Sequence, residues 1–214
     1  MRLPSITCAP TAVDADGVCA SQSPAAGSIL INGALATGGV VTFGAAQLVR
    51  LTSGGNDSGI TFTFNGTDAD GRTQTQTVAG TNASNTDTTL FFKTVTSITA
   101  SAAIATTIIV GNLIGSVSPT IRPSHRKNNF VIGGGVVLNS GTATYEVQHS
   151  YDEYEGGSIT DQVYPTNWFV HPTATAKTAS FDPVTYTAPV SAIRLKVSAS
   201  SSGNITGKFI ESGA

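Results

Sequence analysis

The chain contains three histidines, and one of them, His149, stands beside Ser150, Asp152 and Glu153 in the run HSYDE. A hydrolytic site needs a nucleophile, a base and an orienting acid brought together in space. Neighbours along one strand point to opposite faces, so this adjacency does not build a triad. The sequence also contains no G-x-S-x-G nucleophile elbow. His149 and its neighbours read as solvated polar residues at a strand end, and His171, which precedes Pro172, reads as a turn cap. Asp152, Glu153 and Glu155 interleave with Tyr151 and Tyr154, a grouping that would suit a sugar surface. Cleaving a glycosidic bond takes two carboxyl groups roughly 5–9 Å apart. Depolymerases that do so on large β-helices show internal repeats, and none is visible here. No catalytic activity is expected.

Metal and thiol chemistry have equally thin support. Asp68 and Asp70 before Gly71 resemble the start of a calcium loop, but the later ligands and the bidentate Glu are missing, so T-D-A-D-G reads as a turn. Cys8 and Cys19 are spaced to close a small loop, which in an oxidising compartment would add about 2–3 kcal/mol. Two thiols are the alternative reading, and the spacing does not choose between them. No His or third Cys stands near enough to complete a zinc site. No cofactor is expected.

The elements that must position these residues are strands. Period-two alternation and Thr/Val enrichment recur along the chain, while apolar residues seldom repeat at helical spacing, so an all-β fold is expected. In ITFTFN, Ile60, Phe62 and Phe64 alternate with Thr61 and Thr63, which places the apolar set on a core face. In AIRLKVS, Ile193, Leu195 and Val197 alternate with Arg194, Lys196 and Ser198, the pattern of a half-buried strand. Gly33, Gly38, Gly54-Gly55 and Asn65-Gly66 read as hairpin turns with positive φ, and Asn139-Ser140-Gly141 and Ser201 to Asn204 as turns of the second half. The expected organisation is an extended N-terminal arm over 1–27, a first β-sandwich domain over 28–118, a Pro- and charge-rich linker over 119–129, and a second β-sandwich domain over 130–214. The arm, rich in Pro and small residues, is expected to order against a neighbour.

Composition narrows the function classes. Of 214 residues, 40% are hydrophobic and only 11% charged, with a formal net charge of −2. That charged fraction is less than half the average of about 25%, so the surface must be built from Ser, Thr, Asn, Gln and Gly. Low net charge weakens mutual repulsion and favours self-association. With 11 basic against 13 acidic residues, no broad basic field exists for sequence-specific nucleic-acid binding. No apolar run reaches the roughly 20 residues of a membrane span, and the first twenty residues lack the apolar core of an export signal.

Several phrases carry a resemblance: Asn56 to Thr63 (NDSGITFT), the T-D-A-D-G turn at 67–71, FKTVTSITAS at 92–101, the glycine-rich strand Gly133 to Leu138, Thr144 to Asp152, Trp168 to Thr173, and Ala192 to Val197. Together they resemble the β-rich virion structural proteins of tailed bacteriophages over most of residues 28–214. The resemblance implies immunoglobulin-like or related sandwich domains, no catalytic residue, and a virion component assembled in the host cytoplasm. Its partners would be further copies of itself and capsid, portal, tail or fibre proteins. Head decoration and tail or fibre attachment both remain open. The alternative function is a carbohydrate- or receptor-binding module that meets a host surface glycan. The candidate interaction surface comprises Arg122, Arg126 and Lys127 of the linker, together with Tyr151, Asp152, Tyr154, Tyr164 and Trp168 on and around the acidic loop 152–165.

Overall fold

The computed structural model describes residues 3–123, 131–152 and 165–212. The fold is all-β, with 60% of the chain in strands and no helix among the described residues. Fourteen strands run in chain order: β1 Ser5–Cys8, β2 Cys19–Gln22, β3 Gly27–Ile29, β4 Ala36–Thr37, β5 Val40–Ser53, β6 Thr61–Thr67, β7 Thr73–Ala79, β8 Asn85–Asp87, β9 Phe92–Ala100, β10 Ile108–Val117, β11 Val131–Ser150, β12 Phe169–Val170, β13 Phe181–Tyr186 and β14 Ala192–Ser212. They form two compact units, one of Pro10–Ser116 and one of Met1–Ala9 with Val117–Ala214.

In the unit Pro10–Ser116 the antiparallel order is β10-β5-β9-β6-β7. The alternation of β6 works as the sequence implies: Phe62 and Phe64 are completely buried, with Ile60 just before the strand, against Val41, Phe43, Leu51, Phe92 and Ile98. The intervening Thr63 and Asn65 bond across the outer face, Thr63 to Thr77 at 3.1 Å and Asn65 to both Thr75 and Ser97. Hairpin chemistry also works at Gly38-Gly39, whose φ values of 60° and 78° let β4 turn back onto β5. At Asn65-Gly66 it does not. Gly66 lies inside β6, where a Cβ would come within 1.9 Å of the Thr94 carbonyl, so glycine serves close backbone approach rather than a turn.

The segment expected as an arm is part of the fold. β1 pairs with β14 and β2 with β10, and Cys8, Val18 and Cys19 are fully buried. Residues 11–14 form no strand, yet their backbone is satisfied by two buried carboxamides. The Gln47 side chain accepts the Thr11 N–H at 2.7 Å and donates to the carbonyls of Thr11 and Leu113. Asn112 accepts the Asp14 N–H and donates to the carbonyls of Thr11 and Ala12. Both cysteines are buried as thiols, and burial pushes Cys19 up to about 12, which disfavours its thiolate.

In the second unit β11 and β14 are antiparallel partners along nearly their whole length, β12 and β13 pair with one edge of β11, and β1 pairs with β14. The turns expected at Asn139-Ser140-Gly141 and Ser201 to Asn204 are absent. Each lies inside a continuous strand, and they face one another, Ser140 opposite Asn204 and Thr142 opposite Ser201 and Ser202, as a set of register shifts. Turn-forming residues that meet their like across a ladder make bulges, because the neighbouring strand supplies the bonds a hairpin would supply itself. The expected linker also differs in its described part. Ile121 is buried and exchanges both backbone bonds with Ile193, so residues 118–121 run as a short neighbour of β14. Residues 124–129 of that linker lie outside the described residues.

Replacing Gln47 with Leu keeps the volume but removes the side-chain partner of the Thr11 N–H and the Leu113 carbonyl and leaves the Thr11 carbonyl to Asn112 alone. Urea or thermal denaturation of Gln47→Leu should show a loss of about 2–4 kcal/mol. A loss below about 0.5 kcal/mol would mean the clasp contributes nothing beyond packing.

Candidate functional site

The alternation of β11 divides its last residues between two faces. Tyr145, Val147 and His149 point inward opposite Val197, Leu195 and Ile193, while Glu146 and Gln148 lie on the other face opposite Lys196 and Arg194, Gln148 itself covered. The outward groups form a continuous polar row. Lys196 Nζ lies 3.3 Å from Glu146 Oε1, Gln148 donates to the same oxygen at 2.7 Å, and Arg194 Nε donates to Gln148 Oε1 at 2.8 Å. The Arg194 guanidinium lies 3.9 Å from the centre of the Trp168 ring, and Trp168 Nε1 donates to the Pro165 carbonyl. Such a stack is worth about 0.5–2 kcal/mol, more than the half-exposed Lys196–Glu146 pair.

Asp152 fixes the point where the chain re-enters the described fold. Its carboxylate accepts the N–H groups of Thr166 at 2.7 Å and Asn167 at 2.8 Å, together with the Asn167 amide at 3.0 Å and the Thr166 hydroxyl. Those bonds favour the ionised form and hold Asp152 at about 2, led by the Asn167 backbone and side-chain amides. Ser150 Oγ accepts the Asp152 N–H. Neither group is aimed at His149, so the three residues adjacent in sequence do not converge as a relay.

His149 is 6% exposed rather than solvated. Its ring packs edge-on against Tyr151 at 5.1 Å and Tyr186 at 5.4 Å, with Phe169 at 6.1 Å and His171 at 6.4 Å. Nδ1 of His149 and the hydroxyl of Tyr186 are both buried with no hydrogen-bond partner. Burial lowers the His149 imidazole below its ordinary value, assisted by His171, and burial raises the Tyr186 phenol. His171 is held at both nitrogens, Nε2 on the Thr185 carbonyl at 3.1 Å and Nδ1 on the Thr173 hydroxyl and N–H. These contacts assign the Nε2–H tautomer. The turn-cap reading of His171 agrees with its carbonyl, which accepts the Ala174 N–H.

Of the sequence-derived surface residues, the structure brings Tyr151, Asp152 and Trp168 to one end of this sheet, while half-buried Arg122 follows Ile121. Arg126, Lys127, Tyr154 and Tyr164 lie outside the described residues. Trp168 is half-buried with its ring under Arg194, so the rings open to solvent are Tyr151, 57% exposed, and Phe169, 52% exposed, with centroids 5.8 Å apart. Phe169, His149, His171, Tyr186 and Arg194 are additions from the structure. The Tyr145, Val147, His149 alternation is the one signal that pointed His149 inward. Among the described residues no cluster of three metal-ligating groups is present, and no helix is long and apolar enough to cross a membrane. Comparison with protein-family models, with curated proteins and with solved structures returns no match for this chain.

Because the folded state holds the Asp152 proton more weakly than the unfolded chain, this anchor is intact above the ordinary carboxyl value of 3.8 and is lost as pH falls towards about 2. Asp152→Ala should therefore raise amide hydrogen exchange at Thr166 and Asn167 at neutral pH by at least about tenfold. Unchanged exchange there would show that the segment is held by other contacts.

Proposed function

We propose that the chain is a non-enzymatic structural component of a tailed-phage virion, built of two β-sandwich, immunoglobulin-like domains. It would decorate or cement the head, or form part of the tail or fibre attachment, as a symmetric homo-oligomer among other virion proteins. The observation that carries this reading is the way the fold is completed. Carboxamides and hydroxyls, rather than ion pairs, satisfy the irregular backbone and tile the outer face of β6, β7 and β9. A rigid, charge-poor surface suits close repetition of identical subunits, because little charge has to be desolvated or paired at each contact. The resemblance of the strand phrases to tailed-phage virion proteins supplies the setting.

A second reading is favoured by one observation, the solvent-exposed pair Tyr151 and Phe169 beside Asp152. Two rings held open at a sheet end offer stacking surface for a host glycan. The basic linker residues Arg122, Arg126 and Lys127 would then serve contacts with neighbouring virion proteins.

Mass spectrometry of purified virions should find this chain at a fixed stoichiometric ratio to the major capsid protein, and the isolated protein should sediment as a defined oligomer. Particles that lack the chain would overturn the first reading. On a glycan array, Tyr151→Ala and Phe169→Ala should each reduce binding about tenfold or more if the rings bind sugar, with Trp168→Ala having the smaller effect. Absence of any glycan signal with the wild-type protein would remove the second reading.

A further inference from the structure

His149, His171 and Tyr186 form a buried group that neither proposed function uses. Three separate elements meet there. His149 is the penultimate residue of β11, Tyr186 ends β13, and His171 directly follows β12 and donates its backbone N–H to the Val147 carbonyl at 2.8 Å. The T-shaped contact of His171 on Tyr186, at 4.8 Å, is the closest ring contact of the group. β12 itself pairs with β11 at only two positions, Gln148 with Val170 and His149 with Phe169. Backbone bonds continue past β12, from His171 to Val147 and between Tyr145 and Lys177, and Arg194 stacks on Trp168, so the packing of Phe169 on His149 is one of several contacts that hold this segment.

We propose that this histidine group is an acid-released latch, in which protonation of His149 frees β12 and the Trp168–His171 segment from the edge of β11 while the rest of the sheet stays folded. The rings that face His149 bring no negative charge to it. Tyr151 comes just after the end of β11, Phe169 from β12, His171 from the turn after β12, Tyr186 from β13, and the cross-strand residue on β14 is Ile193. No carboxylate is among them. Nδ1, the atom that would be unprotonated in one neutral tautomer and charged in the cation, is enclosed and has no acceptor. An imidazolium there would have to turn outward to reach water, and the ring packing of Phe169 would go with it.

The direction follows from linkage. The folded-state proton affinity of His149 is below the ordinary value of 6.5, so the unfolded or released form binds the proton first. The contribution of the latch is complete above that value and is lost as pH falls below it. Asp152 remains ionised throughout this window, because its own carboxylate is held at about 2. Release therefore involves the β12 side of the segment, while the bonds of Asp152 to Thr166 and Asn167 persist.

Trp168 is the single tryptophan of the chain, so its fluorescence reports this segment alone. Between about pH 7.5 and pH 4.5, fluorescence should change in one reversible step while the far-ultraviolet circular dichroism stays constant. Amide protection of Phe169 and His171 should fall about tenfold or more across the step, with no change at Phe62 and Phe64 in β6. His149→Phe, which keeps a ring in place, should abolish the step. A step that persists in His149→Phe, or one that coincides with loss of the β signal, overturns the proposal. Should His149→Phe not fold, imidazole NMR of the wild-type protein decides: a His149 titration at or above 6.5 also overturns it.

Discussion

The fold depends on the obligation of every buried backbone N–H and C=O to find a partner, and where strands are absent this chain often meets it with side-chain carboxamides, beside the carboxylates of Asp57, Asp68 and Asp152. Gln47 and Asn112 hold residues 11–14 in this way. Gln74 and Gln76 do the same for the stretch before β9, bonding the carbonyl of Phe91 and the N–H groups of Thr89 and Leu90. Gln22 bonds both backbone groups of Leu30, and Asn32 accepts the Ala20 N–H. A carboxamide has one acceptor oxygen and two donor hydrogens, the same chemistry as a peptide unit, so each acts as a short piece of missing strand. At Gln47 and Asn112, the buried members of this set, a charged side chain would carry a desolvation cost that the amide avoids.

Much of the architecture was legible before the structure. Ile60, Phe62 and Phe64, and Ile193, Leu195 and Val197, declare their core faces by alternation, and each set is buried as read. What was not legible is long-range. The residues of 139–141 and 201–204 have turn chemistry, and only their mutual pairing makes them bulges. Gly66 looks like a turn glycine until the Thr94 carbonyl is seen beside it. The first 27 residues look unable to bury themselves because the groups that bury them, Gln47, Asn112 and β14, lie far along the chain.

The candidate site was legible in part for the same reason. Tyr151, Asp152 and Trp168 stand out by type, and they do gather at one sheet end. Their roles come from partners in other strands. Asp152 is a backbone anchor because Thr166 and Asn167 return to it, and Trp168 is covered because the β11 and β14 register places Arg194 over its ring. Polar company in sequence makes His149 look solvated, whereas strand alternation sends its neighbours Gln148 and Ser150 to the other face. Phe169, next to the more conspicuous Trp168, is the ring left open.

The opposed irregularities of β11 and β14 have a consequence for how this chain can change over generations. Both strands depart from regular pairing at the same level, and both resume it with Tyr145, Val147 and His149 turned inward against Val197, Leu195 and Ile193. Since side chains alternate with a period of two, adding or removing one residue on either side would invert every face beyond that point. A matched change in the partner strand would restore the register but leave both apolar sets turned outward. The middle of this ladder is therefore a place where length is held fixed unless a bulge takes up the extra residue, a signature that would be visible as constant segment lengths in any set of related chains.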